Sequence, residues 1–183
     1  MSQLKYLHGY PEHLKSQARQ LLEQGKLGAI LAEKYPETHT IRSDKALYDY
    51  VLELKNQHMR AATTIHKIAF DNHLQVLHRA LGIHQASSRV QGSQLRAHKE
   101  IRIAALFQDM PPEFLKMIVV HELAHLKEMQ HNKAFYQLCL HMEPHYHQYE
   151  LDLRLYLTAQ NTSRDNSSAH LTPLITAPSK VAG

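Results

Sequence analysis

The stretch from Phe114 to Leu126 limits most strongly how this chain can fold. Pro111-Pro112-Glu113 precede it and set prolines and an acid where a helix start favours them. The residues that follow are apolar almost all round a helix, which predicts a helix buried in the core. Into that helix are set His121, Glu122 and His125, an H-E-x-x-H pattern. Polar groups in a core are costly unless they find partners. Four residues turn a helix by roughly 400°, so the two imidazoles leave nearly the same side, one turn apart. They can grip one metal ion from one side and leave the other side open. Glu122 lies roughly 100° round the helix, within reach of a metal-bound water without ligating the metal. Zinc lowers the pKa of such a water to about 7, and a carboxylate there can take its proton.

Histidine accounts for 16 of 183 residues, and a chain so rich in histidine also forms accidental histidine patterns. His131 narrows the choice. It stands ten positions after His121, the third-ligand spacing of H-E-x-x-H-x-x-G-x-x-H zinc sites. On an unbroken helix it would point about 120° away from His125, so the helix must end first. Position 128 is Glu rather than Gly, and the bend is expected at Gln130, with Asn132 capping the next helix. Glu143 and Glu150 are the alternative third ligands. His141, His145 and His147 form a second cluster, but Pro144 breaks its helical spacing, and they read as surface or structural histidines.

The rest of the chain predicts an α+β domain. Leu14, Ala18, Leu21 and Leu22 predict helix within residues 12–34, interrupted by Gly25 and Gly28. Leu47, Tyr50, Val51 and Leu54 predict a second helix over 44–59, with Ser43 or Asp44 as its N-cap. The segments 63–70, 73–78, 88–96 and 100–107 read as short strands of a small, mostly antiparallel sheet. In the last of these, Ile101, Ile103, Ala105 and Phe107 share one face. Helices are expected again over 132–142 and 146–157. Residues 160–183 are rich in Ser, Thr, Ala and Pro and predict a disordered tail, leaving one domain over 1–159.

Charge and apolar runs bound the partners. Between Met59 and Arg102 stand seven basic residues (Arg60, Lys67, Arg79, Arg89, Arg96, Lys99 and Arg102) against Asp71 and Glu100. A solvated, edge-protecting sheet face is the bland reading of that section. The functional reading is a rim that attracts anions, including weak association with nucleic acid. The longest apolar run, Ile103–Phe107, is five residues. A membrane span needs about 20. The N-terminus lacks the apolar core of a secretory signal. Cys139 is the sole cysteine and cannot form an intrachain disulfide. A cytoplasmic protein is therefore expected.

His121 to His125 with Leu126-Lys127-Glu128 behind them, then His131-Asn132-Lys133-Ala134-Phe135-Tyr136, resemble the YgjP-like metal-dependent hydrolase family. The segments 101–107 and 117–120 match as well, and the resemblance covers roughly residues 1–158. It implies a zincin-like domain with His121, His125 and His131 on Zn2+ and Glu122 as general base. It also implies kinship with SprT and WLM-type DNA-associated proteases. Many members carry an R-W-G-S-C segment where this chain reads Arg89-Val90-Gln91-Gly92-Ser93.

Three activities follow as expectations. Zinc-dependent hydrolysis of peptide bonds comes first, because histidine ligands favour zinc, whereas phosphate enzymes commonly use Mg²⁺ with carboxylates. Tyr136, Tyr146 and Tyr149 are then candidates to steady the oxyanion, and segment 101–107 could pair with an extended peptide. The alternative is a nucleoside triphosphate pyrophosphatase, releasing a nucleoside monophosphate and diphosphate. In that reading the basic middle section holds the phosphates, and relatives bear such a label with UTP named. A non-catalytic, nucleic-acid-binding zinc module is the third.

Overall fold

The computed structural model describes residues 4–59, 64–74 and 100–169. A 3-10 turn at Lys5–Leu7 leads into α1 (Glu12–Glu23), α2 (Leu27–Lys34) and α3 (Asp44–His58). The break between α1 and α2 falls at Gly25, whose φ of 66° is the left-handed conformation glycine adopts freely. The Gly25 amide donates to the Leu22 carbonyl and the Lys26 amide to the Leu21 carbonyl, both at 2.9 Å, the paired closure of a Schellman cap. Gly28, expected to interrupt as well, lies inside α2. Ser43 caps α3, its hydroxyl accepting from the Ala46 amide at 3.2 Å.

Strands β1 (Lys67–Asp71) and β2 (Glu100–Ala104) form a two-stranded sheet among the described residues. They pair in parallel, with Ile68 opposite Ile101 and Phe70 opposite Ile103. This corrects the expected antiparallel arrangement. A parallel pair needs a connection of a dozen residues or more, and segment 72–99 supplies it; the expected strand 88–96 and most of 73–78 lie outside the described residues. The last strand is also shorter than expected. Ala105–Asp109 turns into a 3-10 helix, which still buries Phe107. Of the basic middle section, Lys67 and Arg102 are described, and both are ion-paired: Lys67 with Glu100 at 3.1 Å, Arg102 with Asp71 at 3.0 Å. Arg60, Arg79, Arg89, Arg96 and Lys99 lie outside the described residues, as does segment 89–93.

Helices α4 (Pro112–Ala124), α5 (Lys133–Met142) and α6 (Tyr146–Ala169) complete the fold. As predicted, α4 is the centre of the core. Phe114, Leu115, Met117, Ile118, Val119, Val120, Leu123 and Ala124 are all buried on it, and each large apolar side chain contributes about 1.5–3 kcal/mol by leaving water. Helix α6 runs past the expected end at Leu157, so residues 160–169 are helical rather than an unstructured start of the tail. Its Ser and Thr residues fit because their hydroxyls donate one turn back: Thr158 to the Arg154 carbonyl at 2.7 Å and Thr162 to that of Thr158 at 3.1 Å. Asn161 also donates to the Tyr6 hydroxyl at 2.9 Å.

Two buried charges of α6 tie the N-terminal helices to it. Asp152, 4% exposed, accepts from Lys34 Nζ at 2.6 Å, Tyr35 Oη at 2.6 Å and Gln148 Nε2 at 3.1 Å. Arg154 donates to the Tyr6 carbonyl at 3.0 Å and to Glu150 at 2.7 Å. The Tyr35 ring packs against Phe114 of α4, with centroids 4.7 Å apart. No helix among the described residues is long and apolar enough to cross a membrane.

Candidate metal centre

The C-terminal turn of α4 positions the first two imidazoles. His121 is in the helix and buried, and His125 is its C-cap, with φ −65° and ψ −13°. The chain then tightens. The Leu126 amide donates to the Leu123 carbonyl, and the Lys127 and Glu128 amides to that of Ala124, each at 3.0 Å. The helix therefore ends at Ala124 rather than at Gln130. No non-glycine residue among those described has a positive φ, so Glu at position 128 is unstrained where related patterns carry glycine. Glu128 also contributes directly: its carbonyl accepts from His125 Nδ1 at 2.9 Å. Asn132 caps α5 as predicted, its side chain accepting from the Phe135 amide at 2.9 Å. His131 is the residue just before that cap.

This turn brings the three imidazoles together. His121 Nε2 lies 3.2 Å from His125 Nε2 and 3.2 Å from His131 Nε2, and the last two are 3.0 Å apart. Nitrogens bound at about 2.0–2.1 Å to one tetrahedral zinc lie about 3.3 Å apart, so the triangle fits such an ion closely. Among the described residues this trio is the group able to hold a metal ion. Burial, then the neighbouring His125 and His131, hold the His121 pKa well below its usual value. The ring is thus neutral, the form that binds metal. His125 is oriented in the same sense: Nδ1 carries the proton it gives to the Glu128 carbonyl, so in the neutral ring Nε2 keeps its lone pair. Glu122 sits half-buried beside His121 on α4.

Two aromatic residues support the trio. The fully buried Phe135 ring touches all three imidazoles, with centroid distances of 5.0 Å to His121, 4.6 Å to His125 and 4.6 Å to His131. Behind His121, the Tyr146 hydroxyl lies 2.7 Å from Nδ1. That contact takes Tyr146 out of the oxyanion candidates, since its hydroxyl is on the side of the ring away from Nε2. Tyr149 packs on Tyr35 and His145, whereas the Tyr136 ring is 6.3 Å from that of His131. Sequence spacing does not reveal Tyr146 in this role, because its contact spans 25 residues and two helices.

The alternative third ligands are engaged elsewhere. Glu143 is buried and accepts from Lys116 Nζ at 2.6 Å, and that contact together with His145 outweighs burial and holds its carboxyl below the usual range. Glu150 pairs with Arg154. His141, His145 and His147 are exposed, as predicted.

A core helix bearing H-E-x-x-H, with a third imidazole supplied by the following turn, defines the class: a metal-dependent hydrolase. More narrowly, the chain belongs to the YgjP-like family, whose metallopeptidase domain matches residues 3–156. Over 158 residues it is 59% identical to a protein of Escherichia coli (strain K12) named UTP pyrophosphatase, a match covering 86% of this chain and 95% of that protein. No solved structure matches the chain significantly.

Proposed function

We propose that the chain is a zinc-dependent nucleoside triphosphate pyrophosphatase that splits UTP into UMP and diphosphate. The observation that carries this reading is the 59% identity to a UTP pyrophosphatase over 86% of the chain, an extent that includes the whole site. It reverses the preference for peptide bonds that ligand chemistry alone suggests. His121, His125 and His131 are the residues that would hold the zinc. The bound ion would supply a Lewis acid and a water that is acidic near neutral pH.

The chain's own groups do the rest. The Nε2 atoms of the three imidazoles face one another, and Phe135 and the Glu128 carbonyl keep them there. The Glu122 carboxylate accepts the proton of the attacking water. The water oxygen bonds to the α-phosphorus as the bridge to the β-phosphate breaks. The proton held on Glu122 passes to the departing diphosphate or to solvent.

Peptide hydrolysis is the second reading, favoured by the family's metallopeptidase description and by the H-E-x-x-H helix. One assay separates the two. The zinc-loaded protein is given UTP, the other nucleoside triphosphates and a mixed peptide library, and diphosphate and new amino termini are measured. UMP and diphosphate should appear in equal amounts. In Glu122→Gln turnover should fall by the roughly 10²–10⁴ of a lost general base, with zinc retained. Peptide cleavage with intact UTP would overturn the pyrophosphatase reading.

A further inference from the structure

His121 makes a second contact that the hydrolytic chemistry above does not use. Its Nδ1 faces the hydroxyl of Tyr146, 2.7 Å away, at the first residue of α6. Tyr146 is 1% exposed, so water cannot take the place of that partner. Hydroxyl and imidazole nitrogen can each donate or accept, and the other two imidazoles decide the direction.

His121 Nε2 points at two other Nε2 atoms at 3.2 Å. A proton there would block the centre of the triangle. The arrangement that keeps that centre open is His121 Nδ1–H donating to Tyr146 Oη, 2.7 Å away. His125 repeats the pattern with the Glu128 carbonyl as its acceptor.

We propose that Tyr146 is a positioning residue of the metal site, holding His121 in the tautomer and ring orientation that turn the Nε2 lone pair toward His125 and His131. The inference rests on the metal role of the three histidines and is independent of which substrate is cleaved. Partners of this kind commonly change metal affinity by 10–100-fold when removed.

The test uses Tyr146→Phe, which keeps the ring and removes one oxygen. Zinc affinity is measured by competition with a chromophoric chelator, and the imidazole nitrogens of the metal-free protein are read by 15N NMR. Wild type should show His121 protonated on Nδ1 alone. Tyr146→Phe should show a mixture of tautomers and bind zinc 10–100-fold more weakly. Protonation of His121 on Nε2 in wild type would overturn the proposal, whatever the variant does. Equal zinc affinity in wild type and Tyr146→Phe would also overturn it, while leaving the metal reading intact. A wild type that takes up no zinc would overturn both.

Discussion

The carboxylate of Asp152 gives a stability experiment whose size follows from its three donors. In Asp152→Ala, the buried Tyr35 hydroxyl loses the acceptor now 2.6 Å away. A buried donor left unpaired costs about 1–3 kcal/mol. Lys34 contributes less: its side chain is 47% exposed, so the ion pair is screened and its nitrogen returns to water. Gln148 is exposed and can also turn to solvent. The expected loss for Asp152→Ala is therefore about 2–3 kcal/mol, mostly from Tyr35. Tyr35→Phe alone should cost about 1 kcal/mol, because Asp152 keeps its other donors. The double variant should cost less than the two together by about 1–2 kcal/mol, since it leaves no orphaned hydroxyl. Urea unfolding of the metal-free protein, followed by far-UV circular dichroism, measures all four corners; the chain has no tryptophan. Zinc affinity should be unchanged throughout, because Tyr35 meets α4 at Phe114, about two turns before His121. Single costs that add to within about 0.5 kcal/mol would refute the reasoning.

Two further outcomes are expected. His131→Ala should lose most of its zinc in mild dialysis, whereas Glu143→Ala and Glu150→Ala should retain it, as atomic absorption would show. Ending the chain at Gln160 should cost about 1 kcal/mol through the lost Asn161–Tyr6 bond, lowering the melting temperature by about 2–4 °C; a shift within error would show that this turn of α6 adds nothing.

Features set by neighbours along the chain are legible in the sequence. Ser43 and Asn132 start α3 and α5, Pro111-Pro112 precede α4, and the H-E-x-x-H spacing places two imidazoles on one helical turn. Features set by distant partners are not. Nothing in Lys67–Asp71 or Glu100–Ala104 states which direction the other strand runs. Apolar alternation continues through Phe107, yet a 3-10 turn buries that ring equally well. Glu128 departs from the glycine pattern as a residue type, but its contribution is a backbone carbonyl on His125, which any residue can supply. The polar C-terminal turns of α6 conceal a helix because their hydroxyls bond to the helix itself. Among several tyrosines, only the packing of α6 against α4 singles out Tyr146.

The short span of the trio has a thermodynamic consequence. His121 and His131 are ten residues apart, so unfolding separates them little. A denatured chain keeps three imidazoles at high local concentration and retains affinity for a transition metal. Ligand binding stabilises a fold only by the difference between its affinities for the folded and unfolded chains. Zinc should therefore raise the melting temperature by less than its affinity for the native site implies. The support from Phe135 and Tyr146, which only the folded chain can supply, then accounts for much of the difference.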